Sequence, residues 1–340
     1  MMMMLLLAAA AASATPQPGE LKTYRDWTVG CDNGWRCQAG SLFPEPPDYD
    51  LDTAASMTIL RDPGEGSEPT IAIEFDGDLS GKETVWIDGR AIGGGTANAK
   101  SASIDYDTQA AAVLAAAMLK GRVLEVRNAD GTPVAHISLV GISAALRHMD
   151  DRQQRAGTRS ALVARGDGTA VPMPPPLPVI RSGAESGTAF VASPEEIAAA
   201  RAENGCDGDP DSPRAEVHVL DRAHSLLLLS CSAGAYNDNM LALVASAAGG
   251  ARRIVPAAFD VPSDWSEMRG WETDLVNASY DESQGLLSSR ALGRGIGDCG
   301  TAETMAWDGT RFRLIEASAM DACRGNRNWI TLWRATLRRR

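Results

Sequence analysis

The sequence has no C-x-x-C pair, only four histidines and no apolar segment long enough to cross a bilayer. The missing C-x-x-C pair disfavours a zinc site and a thioredoxin-like redox site. The longest apolar run is shorter than the roughly twenty residues that a transmembrane helix needs. A net charge of −12 disfavours nucleic acid and anionic membranes, because both bind clustered cations. We therefore expect no nucleic-acid partner and no membrane span.

The one notable apolar run lies at the N-terminus. It reads MMMMLLLAAAAASA and closes at Ala12-Ser13-Ala14, the small-x-small pattern that a signal peptidase cuts. No Lys or Arg precedes the run, which departs from the usual basic start of a signal. We predict that residues 1–14 are a signal peptide and that the mature protein is periplasmic or secreted.

Six cysteines form an even set, and such sets usually pair in exported chains. Sequence alone leaves their connectivity open. We favour local pairing, because each pair then lies within one predicted β-rich unit. The pairs are Cys31 with Cys37, Cys206 with Cys231, and Cys299 with Cys323. A reactive catalytic thiol is the alternative interpretation.

The first part of the chain, residues 20–165, is predicted to be an N-terminal β-rich domain with two helices. Short runs such as DWTVGC and SMTILR are separated by Gly, Pro and Asp turns, a pattern typical of strands. The alanine-rich TQAAAVLAAAMLKG predicts one helix. The amphipathic ISAALRHMDDRQQRAG predicts a second helix that closes at Gly157.

A proline-rich segment separates this part from the rest. Residues 166–190 lose periodicity and are predicted to be a linker. A short capped helix opens at Ser193, and residues 191–337 then predict a C-terminal antiparallel β domain, either a sandwich or a small barrel. The expected fold class is mainly β (α+β), with two antiparallel β-rich domains and a few short helices.

The glycines Gly295, Gly297 and Gly300 have the G-x-G-x-x-G spacing of a dinucleotide-binding turn. That motif needs a strand before it and a helix after it, yet Thr301 to Trp307 reads as a strand. We interpret the glycines as a tight loop around a disulfide-bonded Cys299, and we expect no cofactor.

Ser143 is the strongest candidate for a catalytic nucleophile. It lies in Gly-Ile-Ser-Ala-Ala between a predicted strand and a predicted helix, which resembles a nucleophile elbow with its last glycine replaced. His148 is the nearest candidate base. The alternation of parallel strands and helices that this fold requires is missing, and Ser at a helix start is an ordinary N-cap.

Metal and ligand sites have weaker signals. His218, His224 and Asp221 could meet across a hairpin and bind a metal, although packing histidines are favoured. Two runs of alternating acids mimic part of a calcium loop but are interpreted as solvated turns, so no metal is expected. These runs are Asp48, Asp50 and Asp52, and Asp207, Asp209 and Asp211.

Tryptophan is abundant among the aromatic residues. Most tryptophans lie in or beside predicted strands and are predicted to be core; they are Trp27, Trp86, Trp307, Trp329 and Trp333. Trp265 and Trp271 lie in the turn-like DWSEMRGW, where an exposed indole could stack on a sugar or a peptide. These two are the possible ligand-contacting residues.

Several segments together carry a family resemblance. YRDWTVGCDNGWRCQAGSL, HISLVGISAALRHMDDRQ, GRGIGDCG, MAWDGTRFRLIE and ACRG resemble the exported proteobacterial family called domain of unknown function 1176. The first segment and ISLVGISAAL also resemble the invasion-associated locus B proteins, over the first domain only. The resemblance implies a periplasmic or secreted location, with no established activity, and GRGIGDCG and CRG fit a structural disulfide between Cys299 and Cys323.

Export, disulfides and the lack of a complete catalytic set favour a non-enzymatic protein of the cell envelope that binds a protein or a cell-wall component. A serine hydrolase-like enzyme that uses Ser143 is one alternative. A glycan-binding module that uses Trp265 and Trp271 is the other.

Overall fold

A computed structural model describes residues 15–188, 190–206, 214–246, 252–260 and 274–339. The fold is mainly β, as the sequence predicted, with several antiparallel sheets and three helices among the described residues. No helix in these ranges is long and apolar enough to span a membrane. We call residues 15–165 the N-terminal half and residues 190–339 the C-terminal half.

The largest sheet of the N-terminal half has seven strands in the order β1-β2-β3-β4-β5-β9-β8. Their bounds are Lys22–Tyr24 (β1), Trp27–Cys31 (β2), Cys37–Ser41 (β3), Ala55–Arg61 (β4), Thr70–Phe75 (β5), Thr96–Asn98 (β8) and Ser103–Tyr106 (β9). Side chains alternate between the two faces of a strand. In β4, Met57 and Ile59 are therefore fully buried, whereas Thr58 and Leu60 point to the opposite face.

A second, four-stranded sheet and two helices cover the inner face of the large sheet. The order of this sheet is β11-β10-β6-β7. The bounds are Thr84–Ile87 (β6), Arg90–Ile92 (β7), Val123–Arg127 (β10), Pro133–Ser138 (β11), Thr108–Met118 (α1) and Ile142–Arg152 (α2). Leu114 of α1, Leu146 of α2 and Trp27 of β2 meet in one buried cluster. Burial of this apolar area is the main force that holds the elements together.

The C-terminal half contains two antiparallel five-stranded sheets. One consists of Ala215–Val219 (β13), His224–Ala233 (β14), Asp238–Ser246 (β15), Arg253–Pro256 (β16) and Asp274–Val276 (β17). The other runs in chain order through Ser279–Asp281 (β18), Leu286–Leu292 (β19), Gly300–Trp307 (β20), Phe312–Met320 (β21) and Ile330–Arg334 (β22). Leu226 and Met240 of the first sheet pack with Met305 and Leu314 of the second, so the two sheets form a sandwich.

One helix covers the outer face of the first of these sheets. It runs over Pro194–Glu203 (α3), and Ser193 is the N-cap that the sequence predicted. The structure adds a capping box, in which the Ser193 hydroxyl accepts from the Glu196 amide and the Glu196 carboxylate accepts from the Ser193 amide. Ala200 of this helix lies in a small buried cluster with Leu227 and Leu229.

The predicted linker forms a strand in part. Val179–Arg181 (β12) pairs in parallel with Thr336–Arg338 (β23) near the end of the chain. The linker and the two domain boundaries themselves stay predictions.

The prediction that the second helix runs to Gly157 is wrong, because α2 ends at Arg152. Gln153 and Arg155, which follow, are almost fully buried. The Gln153 amide donates to the carbonyl oxygens of Trp35 and Arg61, at 2.9 and 3.0 Å. These contacts to distant residues turn the chain inward, and a continuing helix could not make them.

The structure joins the six cysteines in the three local pairs that the sequence analysis favours. Cys31 and Cys37 lie directly opposite each other on β2 and β3, with their Cα atoms 4.0 Å apart. The Cys206–Cys231 bond joins the end of α3 to β14, and the Cys299–Cys323 bond joins two loops of the second C-terminal sheet. Three disulfides fit an exported protein.

Candidate functional site

The glycine-rich segment lies in the loop between β19 and β20, two adjacent antiparallel strands. A strand follows the glycines where a dinucleotide-binding motif needs a helix. The Gly293 amide donates to the Cys299 carbonyl, and a Cβ atom added at Gly293 would lie 2.6 Å from Cys299 Sγ. The loop therefore wraps tightly around the disulfide.

Ser143 is exposed in the first turn of α2, and its surroundings do not resemble those of a catalytic serine at a nucleophile elbow. His148 lies five positions later on the same helix, which places the two side chains on different sides of the axis. His148 Nδ1 lies 3.3 Å from the Tyr24 hydroxyl. Partial burial lowers the pKa of His148, with the nearby Arg152 adding to the effect.

The histidines that could have shared a metal are separated. His224 Nδ1 lies 2.9 Å from Asp221 Oδ1, and Trp307 donates to Asp221 Oδ2 at 2.7 Å. His218 instead lies between Glu216 and Glu282. Within the described ranges, no group of three or more His, Cys, Asp and Glu side chains could hold a metal ion.

The first acidic run closes its own turn: the Asp50 amide donates to Asp48, and the Asp48 amide donates to Asp52. The second run, Asp207 to Asp211, lies outside the described residues, as do Trp265 and Trp271. The possible ligand contacts of Trp265 and Trp271 therefore stay predictions.

The strongest candidate site is a groove of about 760 Å³ between the two halves of the chain. One wall, which also forms the floor, is the outer face of β4, β5, β8 and β9 in the N-terminal half. The other wall is the outer face of β19, β20 and β21 in the C-terminal half, with the loop that precedes β22. Ligand sites occur preferentially at such junctions.

Short side chains make the groove deep. Thr58, Ala72 and Asp105 lie directly opposite one another on β4, β5 and β9 and form one row across the floor. On the facing sheet, Ala302 pairs with Ser318 in the same way. Because residues opposite one another on neighbouring strands share a face, each row of small residues leaves a continuous hollow.

Among the described residues, Trp329 is the one aromatic side chain on the C-terminal wall of this groove. The Arg290 guanidinium lies over its ring at 4.2 Å from the centroid, and the indole nitrogen donates to the Gly297 carbonyl at 3.1 Å. A Cβ atom at Gly300 would lie 3.0 Å from the ring. The glycine-rich loop thus holds Trp329 in position, where it is partly buried and packs against the core of the C-terminal half.

The two walls carry opposite charges. The N-terminal half contributes carboxylates, which we call the acidic wall: Glu74, Asp76, Asp105 and Asp107. The C-terminal half contributes guanidinium groups, which we call the basic wall: Arg290, Arg294 and Arg327. Arg327 and Asp76 form the one ion pair between these two sets within the described ranges, at 3.3 Å.

The groove continues past Asn328 into two smaller hollows of about 210 and 460 Å³, which share lining residues with each other. The far end carries several exposed apolar side chains beside its charged ones. Phe43 and Pro47 line it, together with Tyr49 and Ile296, whose side chains are 78% and 54% exposed. Exposed apolar side chains that converge on a hollow are typical of an interaction site.

Arg324 fixes the two walls relative to each other. Its guanidinium donates to the carbonyl oxygens of Phe43 and Arg25 and to Asp26 Oδ1, the last at 2.6 Å. The Phe43 amide in turn donates to the Arg324 carbonyl at 2.9 Å. Charge-assisted hydrogen bonds of this kind are the strong ones.

The residues beside Arg324 complete this junction. Gly325 has a φ of +87°, and a Cβ atom there would lie 1.9 Å from the Phe43 ring. The fully buried Asn326 donates to the Ser41 carbonyl at 2.9 Å. The Cys299–Cys323 bond anchors this loop on its own half, so the loop carries the C-terminal half to the large N-terminal sheet.

Residues 21–336 match the model of a family described as protein of unknown function, DUF1176. The chain belongs to this family. It is also similar to the uncharacterized protein YpfG of Escherichia coli (strain K12), with 28% identity over 339 residues and 92% of each chain covered. No solved structure matches the chain.

The DUF1176 resemblance inferred from the sequence is thus confirmed, and the resemblance to the invasion-associated locus B proteins stays a prediction. Two segments that carried the DUF1176 resemblance, residues 24–42 and 322–325, are distant in sequence. They meet at the Arg324 junction, with Gly325 also donating to the buried Asp298 of GRGIGDCG. The glycine signal therefore indicated a structural junction beside the groove rather than a nucleotide site.

Proposed function

We propose that this DUF1176 protein is an exported, non-enzymatic binding protein of the cell envelope that holds its ligand in the groove between its two halves. The observation that carries the proposal is the open, polar groove whose small floor residues leave room for a ligand. The three disulfides support export to an oxidising compartment.

Binding is favoured over hydrolysis by the composition of the groove. Its described lining residues include no histidine, and Ser143 lies on α2, which packs against the inner face of the large sheet near β2. A nucleophile needs a base within hydrogen-bond reach of about 3 Å. His148 instead contacts Tyr24. Ser143 is not the N-cap either, since Gly141 takes that position and no side chain caps the helix.

Site-specific photo-crosslinking in cells tests the proposal, because it captures a ligand of any chemical class. A diazirine amino acid is placed at Thr70, on the exposed rim of the groove, in cells that produce the chain. The matched control carries it at the exposed Lys120, which follows α1 on the other side of the large sheet. We expect an adduct of defined mass at position 70 and none at position 120.

A filled groove provides the second control. Ala302→Trp places a large ring in the hollow between the two rows of small residues, and it should abolish the adduct at position 70 while circular dichroism stays unchanged. No adduct at position 70, or one that persists after the groove is filled, would contradict the proposal.

A further inference from the structure

The protein itself pairs only part of the charge on the groove walls. Arg327 pairs with Asp76 and Arg294 with Asp298, whereas the other four charged side chains have no ion-pair partner among the described residues. Glu74, Asp105 and Asp107 of the acidic wall form no ion pair with any residue in the described part of the chain. Glu74 accepts a hydrogen bond from the Asn328 amide, and Asp105 accepts one from the Ser103 hydroxyl. Across the groove, the Arg290 guanidinium stacks on Trp329 and faces no carboxylate at ion-pair distance among the described residues.

We propose that the groove selects an extended peptide whose acidic and basic side chains alternate along its sequence, an inference that rests on the proposed function. In an extended chain, successive side chains point to opposite sides. An alternating peptide therefore presents all its carboxylates to the basic wall and all its ammonium groups to the acidic wall. The two-sided charge of the groove matches that arrangement.

A neutral glycan would satisfy this groove less well. It would cover the carboxylates and the Arg290 guanidinium without an opposite charge, and the desolvation of an unpaired charge is costly. A polyanion would meet the acidic wall, and a polycation would meet the basic wall, so each would be repelled on one side. Only a ligand that carries both signs on separate faces is complementary to both walls.

The remaining lining residues fit a peptide backbone and an apolar end. Gln38 and Asn98 bring side-chain amides to the groove. The Gln38 nitrogen donates to the carbonyl oxygens of Asn328 and Trp329, and the Asn98 oxygen accepts from two backbone amides, so the Gln38 oxygen and the Asn98 nitrogen are the atoms that face a peptide backbone. The far hollow, where Tyr49 and Ile296 are exposed, lies beyond Arg327, and these two side chains can cover an aliphatic side chain at one end of the peptide.

Two peptides of identical composition test the inference. The first is fluorescein-Glu-Lys-Glu-Lys-Glu-Lys-Leu, in which the charges separate by face. The second is fluorescein-Glu-Glu-Glu-Lys-Lys-Lys-Leu, in which each face carries both signs. Fluorescence anisotropy at low ionic strength, where exposed charges are least screened, should show about tenfold tighter binding of the alternating peptide.

Variants on each wall identify the surface that discriminates. Arg290→Gln and Asp105→Asn should each reduce the preference for the alternating peptide by about threefold or more, whereas Arg290→Lys should keep it. The matched control is Arg311→Gln, an exposed arginine in the turn at the far end of the β20–β21 hairpin. It should leave both affinities unchanged.

The outcomes separate the two proposals. Equal binding of the two peptides, or a preference unaffected by the wall variants, would overturn the peptide inference. If position 70 still captured a ligand in cells, and mass spectrometry showed a saccharide, the groove would remain a binding site with a different ligand class. Loss of both the adduct and the peptide preference would reject both proposals.

Discussion

Arg324 donates a hydrogen bond of 2.6 Å to Asp26, a residue 298 positions away in the sequence. Both side chains are mostly buried, with exposed fractions of 18% and 16%. Arg324 also donates to the carbonyl oxygens of Phe43 and Arg25, so one guanidinium closes the junction between the N-terminal and C-terminal halves.

Removal of this side chain should destabilise the protein strongly. Arg324→Ala leaves a mostly buried carboxylate and two carbonyl oxygens without their donor, and we expect a loss of about 3 kcal/mol in the free energy of unfolding. Urea denaturation measures it. Arg327→Ala is the control, because its single ion pair is 55% and 60% exposed and should contribute less than about 1 kcal/mol. Equal effects of the two variants would refute the role of Arg324.

Gly325→Ala should destabilise the junction through a clash as well as through backbone strain. A left-handed conformation costs a residue with a Cβ atom about 1–2 kcal/mol, and the Phe43 ring adds to that cost. Gly64→Ala isolates the strain, since Gly64 has a φ of +91° and a Cβ atom there would have nothing within 4 Å. Thermal denaturation should show a clearly larger loss for Gly325→Ala.

The disulfides and the export signal can be checked together by intact-mass spectrometry of protein isolated from the cell envelope. Reduction should add six hydrogens for the three bonds, and the unreduced chain should begin at Thr15. Each bond should stabilise the fold by about 2–4 kcal/mol, so the reduced protein should melt at a lower temperature. Free thiols or an intact first segment would contradict export.

Asp298 should make stability depend on pH. Burial acts to raise its pKa, but hydrogen bonds from Arg294 and from the Gly325 amide outweigh it, and the pKa lies below the ordinary value of 3.8. A carboxylate with a lowered pKa stabilises the fold fully above about pH 4, and this contribution is lost as the pH falls through the lowered value.

Urea denaturation at several pH values tests this dependence. Asp298→Asn should be less stable than the wild type at neutral pH, and the difference should shrink as the pH falls through the lowered pKa of Asp298. The exposed Asp78→Asn is the control and should match the wild type throughout. A difference between Asp298→Asn and the wild type that is constant with pH would show that Asp298 contributes by packing rather than by charge.

Ser143→Ala should change little. The side chain is exposed, and substitutions of this kind usually shift the free energy of unfolding by less than about 0.5 kcal/mol. Hydrolysis of p-nitrophenyl acetate by the variant should equal that by the wild type. A wild-type rate that disappears in the variant would restore the serine hydrolase hypothesis and reject the non-enzymatic function.

Local features of the fold were predictable because they depend on neighbouring residues. The alternation in SMTILR predicted β4 and its buried face, and the Ser193-Pro194 start predicted α3 with its cap. The end of α2 was not predictable in the same way. Gln153 and Arg155 read as a polar helix tail, and only their contacts to Trp35, Arg61 and Gly64 turn the chain away.

The groove had no local signal in the sequence. Thr58 and Ala302 lie in predicted strands without any feature that marks a site, and Asp105 lies outside the strands that the sequence predicted. They face one hollow because strand register and the packing of the two halves bring them together. Trp329 was predicted to be core because a tryptophan beside a strand usually is. Its position on the wall depends on the glycine-rich loop 32 positions earlier.

The groove spans the junction between the two halves rather than lying within one of them, so any ligand that fills it would also hold the two halves together. A ligand that contacts both walls binds only when the walls are correctly placed, and by mass action it must shift the chain toward that arrangement. If the proposed ligand binds there, its abundance would raise the stability of the folded protein, and an occupied molecule would open less readily than an unoccupied one.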